Sequence, residues 1–444
     1  MRKLLLATTA LVGGVAFAGA ANASPAPTSP ITLNVGGYVD FVAGFYHSAQ
    51  GAYDTLAGAS SSVGGITISP NNAQSSSRDF ETEFKINFDA LGKASNGMQY
   101  GADVGLWNGP EVTNLWTGGG STIELNSAYV WLSGAFGKAM FGDSHGASDL
   151  FVYAPTVGEG QLDGRYMDFV SPFTLARFQP SGIDNTEHST NITYYTPKVG
   201  NDDHKVQLGV TYEPNMYDYG SNVTKTTLSN TDPVTSNNLL NGVSSPYQDV
   251  VKADLAYWGN FHPVTLAASG QIETGSSGAN HGTGSTNNAV PMFLTAPTSS
   301  RGQTYDFQDF TSWGIGTQVG FAGFTVGGAY NDMGRYGTVH GQNKAQQTFN
   351  LGGKYEFDKV AVAANWLNGE GYDNLLVGST GTASFPLTNI NYVDSFNAYG
   401  LGATYTWFPG LTSAIDGTIF SQDVRDERDH NDGYVILLSQ KMTF

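Results

Sequence analysis

The sequence predicts an all-β fold, a transmembrane antiparallel β-barrel of about 16 strands. Three observations carry this. Apolar and polar residues alternate in runs of about ten, the length of a tilted membrane-crossing strand. The connections between runs alternate short and long, which puts every long loop on one side. After the N-terminal leader, no apolar run reaches the roughly 18 residues of a spanning helix. A membrane location then requires a closed barrel, because lipid cannot satisfy an open sheet edge.

The chain begins with an address. Arg2 and Lys3 precede an apolar stretch, Leu4 to Ala18, and Ala21-Asn22-Ala23 is a small-x-small cleavage site. Residues 1–23 are expected to be a secretory signal peptide, followed by a barrel over 24–444. Removing the two basic residues takes the net charge from -18 to -20. Exported proteins often use disulfides, but with no cysteine this chain has neither a disulfide nor a thiolate metal site. The acidic balance excludes a nucleic-acid partner, which needs clustered Lys and Arg.

Ser24 to Pro30 is a Pro-rich lead-in. In the first run Leu33, Val35, Val39, Phe41, Ala43 and Phe45 lie opposite Asn34, Tyr38 and Asp40. The second alternates most clearly: Phe80, Thr82, Phe84, Ile86, Phe88 and Ala90 against Asp79, Glu81, Glu83, Lys85, Asn87 and Asp89. A face made almost wholly of charges suits a water-filled lumen. Tyr100, Ala102, Val104 and Leu106 form one face of the third run, and Ile123, Leu125, Tyr129 and Trp131 one face of the fourth.

A short strand at Lys138 to Asp143 leads into a long irregular segment, Ser144 to His188, and Asn191 to Tyr195 leads out. Val206, Leu208, Val210 and Tyr212 then oppose Lys205, Gln207, Thr211 and Glu213. Val251, Ala253, Leu255 and Tyr257 face away from Lys252 and Asp254, and Val264, Leu266, Ala268 and Ile272 oppose Thr265, Ser269, Gln271 and Glu273. Further runs fall near 312–321, 324–331, 348–357, 360–367, 396–407 and 411–420, and the last is Tyr434 to Phe444.

Short connections such as Gly134 to Gly137, Ala322-Gly323 and Pro409-Gly410 alternate with long ones such as Ser48 to Arg78, Pro214 to Asp249 and Thr274 to Phe310. Aromatic residues beside the short turns (Phe136, Trp258, Phe261, Phe357, Trp407, Phe408) and toward the long loops (Tyr46, Tyr330, Trp366) suggest two interfacial girdles. The terminal Phe444 on an alternating last strand resembles the signal that barrel-assembly machinery reads in outer-membrane proteins.

At three places the residues resemble a known family. Leu33-Asn34-Val35-Gly36-Gly37-Tyr38-Val39-Asp40-Phe41 is similar to the first strand of general outer-membrane porins of Gram-negative, alphaproteobacterial type. The stretch from Gly137 to Asp149 resembles the strand entering their constriction loop, and Asn191 to Lys198 the strand leaving it. The resemblance implies a 16-stranded homotrimer in outer-membrane lipid and lipopolysaccharide, its long third loop, 144–188, folded into the lumen as a constriction. It also implies loop acids standing opposite a basic cluster on the wall.

In that loop the candidates for the constriction are Asp149, Glu159, Asp163, Arg165, Asp168, Arg177, Asp184 and Glu187. On the wall they are Asp40, Arg78, Glu81, Glu83, Lys85, Asp103, Lys138, Lys205, Lys252 and Lys354. With more acids than bases the pore is expected to prefer cations weakly. The expected function is passive diffusion of ions and small hydrophilic solutes. A substrate-selective channel for sugars or organic acids is the alternative, to be favoured by a row of lumen aromatics. A secreted β-rich binding protein is a further one.

Gly142-Asp143-Ser144-His145-Gly146 matches the Gly-x-Ser-x-Gly pattern. That pattern marks a nucleophile only on a strand-to-helix turn of an α/β sheet, and no helical periodicity follows, so no enzyme is expected. The acids from Asp423 to Asp432 with His430 read as a solvated loop, and neither a metal site nor a cofactor is expected.

Overall fold

The computed structural model describes residues 31–49, 61–63, 66–68, 77–108, 123–160, 165–170, 178, 180–183, 189–215, 247–277, 308–336, 346–372, 392–424 and 431–444. The expected signal peptide lies outside the described residues. The wall strands are β1 (Thr32–Ser48), β2 (Arg78–Lys93), β3 (Gln99–Trp107), β4 (Glu124–Gly134), β5 (Gly137–Ser144), β6 (Ser189–Tyr195), β7 (His204–Asn215) and β8 (Tyr247–Asn260). They continue as β9 (Val264–Ser277), β10 (Phe310–Phe321), β11 (Phe324–Asp332), β12 (Gln347–Phe357), β13 (Val360–Tyr372), β14 (Tyr392–Phe408), β15 (Leu411–Val424) and β16 (Asn431–Thr443). The two-residue piece Val199–Gly200 extends the ladder of β6 along β7. A small hairpin, Ser61–Val63 with Ile66–Ile68, stands apart in the first long connection.

Each strand pairs antiparallel with the next, and β16 returns to β1 from Tyr38↔Thr443 to Ser48↔Gly433, so the sixteen strands form a closed wall. Closure removes every sheet edge, which is what permits a sheet to sit in lipid. The seam is fixed at its end by Phe444: its N–H donates to the Gly37 carbonyl at 2.9 Å, and the Gly37 N–H donates back at 3.0 Å. A Cβ on Gly37 would collide with the Lys85 carbonyl of β2, so β1 needs glycine there to pair with β2.

The alternation sorts the wall into two faces. Leu401 (67% exposed), Ile419 and Ile315 point outward, where lipid covers them, whereas Asp254, Glu273 and Asn350 point inward and are fully buried. The ladders outrun the apolar pattern at the long-loop end. β9 continues to Ser277 and β14 begins at Tyr392, inside stretches expected to be loop. Lipid selects apolar side chains only along its own thickness, while backbone pairing continues beyond it.

Two facial assignments need correction. In β4 the register passes from Gly105↔Ser127 to Leu106↔Leu125, so Asn126 is an extra residue in that strand. A bulge of one residue moves every later side chain to the other face. Val130 and Leu132 therefore point outward, and Tyr129 and Trp131 point into the lumen. Tyr46 and Trp258, expected in the girdles, share the inward parity of Asp40 and Lys252; Tyr46 packs on Phe169 from inside, with ring centroids 6.0 Å apart. The other expected girdle residues keep their places, Phe136, Phe261, Phe357, Trp407 and Phe408 exposed beside the short turns and Tyr330 and Trp366 outward toward the long loops. Phe324 stacks on Tyr355 at 4.1 Å and Tyr405 meets Trp407 at 4.7 Å beside the short turns, and Trp313–Tyr330 and Phe349–Trp366 lie nearer the long loops.

The main apolar core is inside the barrel. Val42 of β1, Leu367 of β13, Phe396 and Ala398 of β14, Phe420 of β15 and Val435 and Leu437 of β16 are buried against Tyr166, Phe169, Val170 and Phe178 of the loop. Burial of this much apolar surface is the main favourable term that holds the loop on the wall.

Candidate functional site

The described residues of the loop after β5 lie on the inner wall, and side chains of successive strands satisfy several of their backbone groups. Its two stems are tied together where the Ser144 hydroxyl donates to Asn191 Oδ1 at 2.9 Å and Asn191 Nδ2 donates to the Ser144 carbonyl at 2.8 Å. A 3-10 turn, Gly146–Leu150, follows and packs with Met140, Tyr195 and Ala256. From there Ala147 N–H donates to Thr211 Oγ1 of β7 (2.8 Å), Val152 N–H to Ser269 Oγ of β9 (2.7 Å) and Ala154 N–H to Asn350 Oδ1 of β12 (2.9 Å). Gln318 of β10 donates to the Tyr153 carbonyl at 2.6 Å, and Glu159 N–H reaches Asp416 Oδ2 of β15 at 2.9 Å.

The segment then forms the short helix Tyr166–Phe169 against β16 and β1. On the return, Phe178 stacks on Phe396 at 5.1 Å, and the Pro180 carbonyl accepts from Asn350 Nδ2 at 3.0 Å. A loop pressed on a wall has no sheet partner for its amides, and buried amides need partners. The inward Thr, Ser, Gln, Asn and Asp side chains supply them, so part of the polar lumen face is a docking track rather than pore lining.

Charges fix the two ends of the track. Lys252, fully buried on β8, donates to Ser148 Oγ at 2.6 Å on the outgoing arm and to the Ile183 carbonyl on the returning arm. Arg165, at the far end, contacts the Glu83 carboxylate and lies 4.0 Å from Asp40 and 3.8 Å from Glu159. Lys441 of β16 stands 3.3 Å from Asp40 and 4.2 Å over the Tyr38 ring, while the Tyr38 hydroxyl donates to Glu83. Burial, and then the neighbouring Asp40, push the Glu159 carboxyl up to about 7, against the opposing pull of Arg165, Ser439 and Lys441. Glu81 and Asp168 act on each other electrostatically beside this group.

The arrangement corrects the expected polarity at this end of the loop: a loop base meets wall acids. Asp149 lies in the 3-10 turn and acts electrostatically on Lys138, which sits 5.3 Å over Trp131. Asp103 is buried and accepts from the Ser127 hydroxyl. Lys85 is half-buried opposite Tyr38. Lys205 is exposed at the short-turn end, and Lys354 pairs with Glu356 at 3.0 Å. Lys252 is a strut of the loop rather than a charge open to the bore. Arg78 shares the outward parity of Phe80 and pairs in register with Phe45 at the rim, so it does not line the lumen. Asp163, Arg177, Asp184 and Glu187 lie outside the described residues.

The Gly142–Gly146 pattern sits on a barrel strand entering a five-residue 3-10 turn, with Ser144 buried and donating to an asparagine. Among the described residues no group of three or more His, Cys, Asp or Glu could hold a metal ion.

The profile of a family described as Gram-negative porin matches residues 7–423. No curated protein sequence matches the chain. Among solved structures, a loop L8 deletion mutant of OmpT, an outer membrane protein of Vibrio cholerae, is 11% identical with a TM-score of 0.51, over 94% of this chain and 100% of that one. OmpT of Vibrio cholerae folded in vitro, in its trimer form, is also 11% identical with a TM-score of 0.51, over 94% and 100% of the two chains. These likenesses show the fold; the profile, which spans nearly the whole chain, shows the family. The closed sixteen-stranded wall and that match together place this chain in the Gram-negative porins, outer-membrane β-barrels that form channels.

Proposed function

We propose that the chain is a general diffusion porin with weak cation preference, narrowed by the segment 144–188 and working as a homotrimer. One observation carries the preference. Among the described residues, Asp40, Glu81, Glu83, Glu159 and Asp168 outnumber the bases beside them, Arg165, Lys441 and Lys85, the last opposite Tyr38. Excess negative charge at close quarters raises the local concentration of cations. In this reading Asp149, Glu159, Arg165 and Asp168 belong to the constriction, the outward apolar face meets lipid and lipopolysaccharide, and Phe444 is the residue that the assembly machinery reads.

The test is the zero-current potential of purified protein in a planar bilayer under a salt gradient. A potential on the cation side is expected; clear anion preference would refute the proposal.

The same measurement has a pH dependence with a fixed sign. Glu159 holds a proton below about 7 and carries a charge above it. Cation preference should therefore strengthen between roughly pH 6 and pH 8, and Glu159→Gln should flatten that change. Stability moves the other way. From its ordinary range up to about 7 the folded state keeps a proton that the unfolded chain has released, so Glu159 lowers stability as pH rises through that window.

A further inference from the structure

The inward turn of Trp131 and Trp258 leaves two indoles in the lumen at the short-turn end, where the sequence placed one of them in the outer girdle. Both are half-buried, and both pack against the same small cluster of Met140, Leu150 and Tyr195. Each has an ammonium over its ring: Lys138 at 5.3 Å from Trp131, and Lys198 at 4.6 Å from Trp258. The two ends of the pair differ in charge. Asp89, Asp103 and Asp149 act on Lys138 and offset it. Around Trp258 a second lysine, Lys205, stands directly opposite on β7. Of the acids in the adjoining turn, Asp203 is turned to His262 at 3.2 Å and Asp202 is exposed to solvent.

We propose that Trp258, Lys198 and Lys205 form a solute subsite at the short-turn mouth, selective for carboxylates that carry a flat apolar ring. The site rests on the diffusion-channel reading and names a solute class for it. The chemistry follows from the pieces. An ammonium over an indole is held weakly where water reaches it. A carboxylate draws the two lysines by charge, and its ring then takes the indole surface that the ammonium leaves. Neither half suffices alone, because an exposed ion pair contributes little and a small ring without charge has only its own buried area. Cations concentrate at the acidic end of the loop, so a basic aromatic mouth gives anionic solutes a separate stop on the path.

Block of single-channel current by benzoate tests this, with acetate as the charge without the ring and benzyl alcohol as the ring without the charge. Benzoate should block in a concentration-dependent way, more strongly from one side of the bilayer, and neither control should match it. Trp258→Leu, which keeps apolar bulk, should raise the half-blocking concentration about five-fold, the scale of one aromatic contact. The double variant K198Q/K205Q, altered only at exposed positions, should do the same. Open channels that benzoate blocks no better than acetate, or equally in wild type and in both variants, would overturn the site and leave the diffusion reading standing. Folded protein that forms no channels would overturn both.

Discussion

Replacing Arg165 with glutamine is expected to unseat the far end of the loop and widen the bore. The guanidinium is buried against Glu83, with Asp40 and Glu159 within 4.0 Å. Removing one partner of a buried ion pair leaves the other charge uncompensated, at a cost of about 3–5 kcal/mol. The wall does not share that cost, because β1 and β2 stay joined along a register from Thr32↔Leu91 to Phe45↔Arg78. The barrel should still fold, seen as unchanged heat-modifiable migration, while its conductance rises and its open-channel noise increases. Neutralising the acids as well, in D40N/E83Q/R165Q, should recover part of the wild-type conductance, since the penalty lies in the stranded charges. Conductance unchanged in Arg165→Gln would remove the ion cluster from the account of the constriction.

Phe169→Ala should loosen the same end by a different route. The ring is buried over Gly44 and beside Tyr46, in the apolar cluster formed with β13 to β16 and β1. Truncating a buried phenylalanine costs about 3–5 kcal/mol in lost transfer energy and cavity. Gly44→Val tests the contact from the wall side, because a Cβ there would collide with the Phe169 ring. Both variants should raise conductance. Combined with Arg165→Gln they should add less than the sum, since Arg165 and Phe169 lie four residues apart in one docked piece.

The wall was legible in the sequence because membrane strands obey period two under a hard constraint. β2, with Phe80 to Phe88 against Asp79 to Asp89, could have been drawn from the letters alone. Three features escape period two, two of them without any signal in the sequence. The bulge at Asn126 changes parity without changing composition, so Tyr129 and Trp131 were placed on the lipid side. The inward apolar residues did leave a signal. Val435-Ile436-Leu437-Leu438 is apolar on both faces, which a strand with lipid on one side and open water on the other does not need. Val435 and Leu437 are the inward pair, covered by the loop.

The third is the polarity of the site. Six acids and two bases in the segment 144–188 give a charge balance but not an arrangement. Alternation carries no information inside a loop, so the pairing of Arg165 with wall acids, and the use of Lys252 as a strut, had no trace in spacing.

The constriction depends on the loop lying on the inner wall. A cross-link tests it directly. The chain has no cysteine of its own. A Cβ on Gly352 of β12 would stand 3.2 Å from the Cβ of Ala154 in the loop, close to the roughly 3.5–4.5 Å of a disulfide. The double variant A154C/G352C, exported to an oxidising compartment, should form that bond, shift on a gel when reduced, and conduct like the wild type in both states. Two thiols that stay free and both react with maleimide in the folded, exported barrel would contradict the account.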